Sequence, residues 1–105
     1  MLMESSEHVI RIANGNLYID KYVYETYFKN IESVALLSKP PLVLIMPVQQ
    51  AGNGGMLLKI RTACGDRVLN ILEFLEHNNM QGLECTVPVV WSTENAALTF
   101  EMIQP

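Results

Sequence analysis

The chain has 105 residues, half of them hydrophobic and only 17% charged, with a formal net charge of −4. Soluble domains average about 25% charged residues and one of roughly 100 residues buries only about two-thirds of its unfolded surface, so part of the apolar surplus is expected to face a second molecule. The negative balance repels a phosphate backbone at long range and counts against general nucleic-acid binding, while two isolated cysteines, Cys64 and Cys85, exclude a disulfide-stapled scaffold and fit a reducing cytoplasm.

Met1–Glu7 carries neither a positive n-region nor an apolar h-region, so it does not read as a secretory signal. It reads as a frayed, solvated end ahead of one domain over residues 8–103. Two short apolar runs, Val9–Ile12 and Leu17–Ile19, flank Asn14-Gly15, a hairpin signal. Asp20 then offers an N-cap, and Tyr24, Tyr27, Phe28 and Ile31 fall on one helical face, which predicts a helix over about 21–31.

Ser33 to Val48 is apolar on both faces. Ser33–Leu37 and Leu42–Met46 around Ser38-Lys39-Pro40-Pro41 predict a second hairpin, buried in mid-sheet, and Pro47 is expected to end its ladder or force a bulge. The longest uninterrupted apolar stretch, Leu42–Val48, is far short of the ~20 residues that span a bilayer. No membrane segment is predicted.

Residues 49–55 predict a flexible loop, and Met56–Ala63 alternates as a strand wetted on one side. After Cys64-Gly65-Asp66, the spacing of Val68, Ile71, Leu72 and Leu75 predicts a helix over 67–77 with Asp66 as its N-cap. Cys85, Val87, Val89 and Trp91, a turn at Ser92–Asn95, and Leu98, Phe100 and Met102 predict a third hairpin, with Pro88 placing its first strand at an edge or bulge. The order ββ-α-ββ-β-α-ββ implies the α+β class. It predicts a mostly antiparallel sheet or incomplete barrel of about six to seven strands, three hairpins among them, with two helices.

Gly52, Asn53, Gly54 and Gly55 are the residues most like a ligand loop, because successive glycines let backbone amides approach an anion. Gly55 is followed by a strand, however, so neither the lysine nor the helix of a P-loop is available, and a mobile connection is the simpler reading. Cys64, Asp66 and Arg67 sit at a strand-to-helix junction that can activate a thiol. Neither His8 nor His77 can be placed beside Cys64; His77 would lie about 15 Å away along the predicted helix. A buried cysteine with a capping aspartate is the simpler reading, and no catalytic residue is assigned.

His8, Cys64, His77 and Cys85 lack the spacing that presents a pair of ligands to zinc, so no metal or other cofactor is assigned. Lys59, Arg61 and Arg67 read as a small basic surface without interleaved aromatics to stack bases. Tyr18, Tyr22, Tyr24, Tyr27 and Phe28 crowd into eleven consecutive positions and suit either an interface centre or a cover for the sheet.

The function implied by the apolar surplus is a non-catalytic interaction or oligomerisation module whose partner is itself or another protein. A small-molecule or anion-binding domain using the 49–55 loop is the alternative. A thiol enzyme at Cys64 is the third.

Overall fold

Asn14 and Gly15 both take positive φ, 57° and 76°, the pair a type I′ turn requires. They join β1 (His8–Ala13) to β2 (Asn16–Ile19) with Ala13 opposite Asn16. In this computed structural model, which describes residues 8–49 and 55–102, the other two hairpins also form where the turn residues place them. Pro40 and Pro41 link β3 (Ser33–Lys39) to β4 (Leu42–Val48), and Thr93–Ala96 links β8 (Cys85–Ser92) to β9 (Ala97–Glu101). The expectations for residues 1–7, for 50–54 and for residue 103 fall outside the described residues.

Between these hairpins lie α1 (Lys21–Tyr27), β5 (Met56–Leu57), β6 (Lys59–Ile60), β7 (Arg67–Asn70) and α2 (Leu72–His77). The strand order is β5-β3-β4-β9-β8-β1-β2-β7-β6, antiparallel at every pairing. Its two terminal strands are separated in the chain by Leu58 alone. The row of strands therefore curls until its ends nearly meet, giving a nearly closed barrel that leaves few free edges.

Inward-facing positions alternate along the strands. Ile10 and Ile12, Leu17 and Ile19, Val43 and Ile45, Val87 and Val89, and Leu98 and Phe100 fill one contiguous core that also takes Val23 and Tyr24 from α1 and Phe28 just after it. From α2 and the turn after it come Leu75, Met80 and Leu83.

Four expectations are corrected. The described residues hold nine strands rather than six or seven, partly because the run Met56–Ala63 is not one strand. Met56–Leu57 pairs with β3, Lys59–Ile60 pairs with β7, and buried Leu58 between them donates its amide to the Glu32 carbonyl at 2.8 Å. The second helix starts at Leu72, not 67, because Arg67–Asn70 completes the outer ladder of β2 as β7. Leu69, 1% exposed, fills the barrel there, and Val68 faces outward.

The first helix ends at Tyr27, where Phe28 forms its C-cap. Pro47 neither ends nor bulges its ladder: it sits opposite Val34, and pairing runs on to Val48 opposite Ser33. β9 has already stopped at the level of Ile45, so at Pro47 the strand has β3 as its only neighbour and an absent amide is tolerated.

Candidate functional site

Asp66 lies at the start of α1 rather than α2. The side chain of Asp20 caps α1 by accepting from the Val23 amide at 3.0 Å, and Asp66 Oδ1 accepts from the Lys21 amide at 2.8 Å. Two carboxylates thus satisfy two of the amides that a helix start leaves unpaired. Asp66 Oδ2 also accepts from the Thr62 hydroxyl at 2.8 Å. That hydrogen bond, then the one from the Lys21 amide, holds the carboxyl below its ordinary value of 3.8, with Arg61 and Lys21 adding attraction. The start of α2 is served by Asn70 instead, whose Oδ1 accepts from the Leu72 amide at 3.0 Å.

Cys64 is exposed in the turn before Asp66, and Cys85 is half-buried on β8, where burial pushes its thiol up. His8 packs edge-on against Tyr27, with ring centroids 5.5 Å apart, and His77 ends α2. Among the described residues, no three His, Cys, Asp or Glu side chains gather as a metal site. Gly52, Asn53 and Gly54 lie outside the described residues. Gly55 has a φ of 99°, and a Cβ there would meet Val48 Cγ2 at 3.0 Å and the Val34 carbonyl oxygen at 3.1 Å.

The aromatic residues gathered in sequence do not share one face. Phe28 and Tyr24 are in the core, and Tyr24 donates its hydroxyl to the Ile31 carbonyl. Tyr27 stacks on Trp91, with centroids 5.7 Å apart and rings 6° from parallel. Tyr22 is 67% exposed. Tyr18 faces outward from β2, with the guanidinium carbons of Arg11 and Arg61 lying 4.6 and 5.0 Å from its ring centroid.

Several concavities mark the surface, and two of them bring residues of interest together. The first is a 280 Å³ pocket around Tyr18 that Arg11, Arg61 and Arg67 all line. The second follows from Pro88. The β8–β9 ladder pairs Ser92 with Ala97, Trp91 with Leu98 and Val90 with Thr99, and goes no further. Continued, it would set Pro88 opposite Glu101. Instead β8 there pairs only with β1, through Val9 opposite Pro88, and β9 pairs only with β4, through Glu101 opposite Leu42. The strands splay around a residue that has no amide to donate. A groove of 440 Å³ opens between them, with Leu42, Pro88, Val90 and Met102 on its walls together with Thr99 and Glu101.

Beside this groove, cross-strand pairing lines up Leu37, Leu44, Thr99 and Val90 on the outer face. The inner two of that row are nearly sealed, whereas Leu37 is 49% and Val90 67% exposed. The sequence signals this surface only as an apolar surplus in Ser33–Val48, because alternation cannot separate the two faces of a run that is apolar on both.

Fold and surface together define a small antiparallel barrel carrying two short helices, with an apolar groove and an arginine-lined pocket on its outer wall. Searches against protein-family models, curated proteins and solved structures return no match to this chain.

Proposed function

We propose that the chain is a non-catalytic interaction module and that it self-associates through the outer face of β3, β4, β9 and β8. The observation that carries this reading is the splay at Pro88. It sets a 440 Å³ apolar groove beside Val90, which is 67% exposed, in a row that continues to Leu37. Exposed apolar side chains beside an apolar groove mark candidate interaction sites on soluble proteins. Aromatic and aliphatic anchors at the centre of a patch, with charges kept to its rim, are what stable contacts use. Here Lys39 stands at the margin, opposite Leu42, with its Nζ donating to Asn95 Oδ1 at 3.0 Å, whereas Glu101 lies in the groove between Leu42 and Pro88.

A second copy is the simplest partner, because a two-fold contact needs only one self-complementary patch and closed dimers are the commonest assembly. A stable contact of that kind buries about 1,200 Å² or more in total. Light scattering coupled to size exclusion tests it. The wild-type chain is expected to run as a dimer, and Val90→Glu, which places a charge in the patch without touching the core, is expected to run as a folded monomer. A wild-type chain that is monomeric at tens of micromolar overturns self-association.

A further inference from the structure

Along β1, β2, β7 and β6, next to the apolar groove across the β1–β8 pairing, the fold gathers every arginine of the chain. Arg11 comes from β1 and lies opposite Tyr18 on β2. Arg61 follows β6 by one residue, its amide bonded to the Asp66 carbonyl at 2.8 Å, and Arg67 opens β7. All three line the 280 Å³ pocket, although they are separated by as many as 56 positions in sequence and the chain as a whole carries a net charge of −4. Such convergence in an acidic protein asks for an electrostatic partner.

The described residues do not supply a complete one. Two carboxylates, Asp20 and Asp66, also line the pocket, and both have hydrogen-bonding duties at the start of α1, with Asp66 bound to Thr62 as well. Arg67 donates to the Gly65 carbonyl and lies with its guanidinium carbon 3.9 Å from the Tyr24 ring centroid. It is anchored. Among the hydrogen bonds between described residues, none uses the guanidinium of Arg11 or of Arg61. These two are held instead by the Tyr18 ring, a cation–π arrangement that occupies the ring face and, among the described residues, leaves the N–H fork unused.

A guanidinium held this way matches the two oxygens of a carboxylate or phosphate with two parallel hydrogen bonds. Three cations against two carboxylates leave room for one further negative charge. Val9, 41% exposed on the same outward face as Arg11, gives the pocket apolar lining beside the arginines, where a hydrocarbon or aryl body can rest. We propose that the Arg11–Tyr18–Arg61 pocket binds a small organic monocarboxylate, with Arg11 and Arg61 clamping the carboxylate and Tyr18 holding both guanidiniums in place.

The test is a ¹H–¹⁵N titration of the full chain with sodium benzoate, run at constant ionic strength because exposed charges are screened by salt. Benzamide serves as a neutral isostere and inorganic phosphate as the competing oxyanion. Benzoate taken to about 50 mM, beyond the millimolar range expected of so small a ligand, is expected to move the resonances of Arg11, Tyr18 and Arg61 saturably. Benzamide should move them at least tenfold less. Arg11→Gln and Arg61→Gln change exposed side chains and are expected to keep the fold, checked by their spectra, while each weakens benzoate tenfold or more.

Arg11→Lys retains charge without the fork, and should fall between wild type and Arg11→Gln. Absence of saturable shifts with benzoate would overturn the site. So would equal binding of benzamide, since the pocket would then be reading the ring alone. Binding of phosphate in preference to benzoate would overturn the monocarboxylate assignment.

Discussion

At the residue scale Asp66 ties three parts of the chain together, bonding to the Lys21 amide of α1 and to Thr62 in its own turn while its backbone carbonyl receives Arg61. Its carboxyl is held below 3.8 in the folded protein. A group whose folded value is depressed contributes stability that is complete above its unfolded value and lost as the pH falls through the folded one. Thermal melts are therefore expected to show a component that fades below pH 3.8 and that Asp66→Asn, carrying no titrating group there, removes. An identical acid profile for the two proteins would show that the contacts of Asp66 add nothing to stability. The cysteines make a second residue-scale case. Cys64 is exposed, whereas burial raises the Cys85 thiol, and the thiolate is the reactive form. Iodoacetamide at mildly alkaline pH is expected to modify Cys64 first, and mass mapping that finds Cys85 modified first would contradict the placement of both.

At the element scale, what the sequence made legible was the local chemistry. Asn14-Gly15, Pro40-Pro41 and the turn after Ser92 each carry their geometry in two to four residues, and Asp20 caps the helix it precedes. The failures were non-local. Val68, Ile71, Leu72 and Leu75 have helical spacing, but whether residues 67–70 coil or extend was decided by β2, whose outer ladder they complete; tertiary pairing outweighs a propensity term of a few tenths of a kcal/mol per residue. The arginine pocket was illegible for the same reason, since nothing local brings Arg11 to Arg61, while the aromatic cluster that looked like one surface was divided between core and wall. Gly15 tests the local side of this account. Its φ is +76°, and a Cβ would come 3.3 Å from Leu72 Cδ1 of α2. The αL penalty of about 1–2 kcal/mol for a side chain exceeds the roughly 0.4–1 kcal/mol that a Gly→Ala change returns by restricting the unfolded chain. Gly15→Ala is expected to lower stability by about 1 kcal/mol in urea, and an unchanged midpoint would mean that the turn does not need the left-handed conformation.

At the scale of the whole molecule the question is what holds the ends of the strand row together. Met56–Leu57 lies beside β3 at one end and Lys59–Ile60 beside β7 at the other, and a single residue joins them. That residue, Leu58, is 5% exposed, packs into the core and bonds its amide to the Glu32 carbonyl. Its side chain is thus the anchor around which the chain leaves one ladder and enters the other. Leu58→Ala removes buried methyl groups at a cost of about 2–5 kcal/mol, which alone would say only that the site is in the core. Closure makes a sharper demand. If Leu58 fastens both ends, native-state hydrogen exchange under conditions that report local opening should show loss of protection in β5 and β6 together, spreading to the outer ladders of β3 and β7 while β1 and β8 keep theirs. Val87→Ala, an inward-facing change on β8, serves as the control, because it should destabilise without opening that seam. Equal loosening of every strand by Leu58→Ala, or loss confined to one of the two ladders, would show that the barrel is held shut elsewhere.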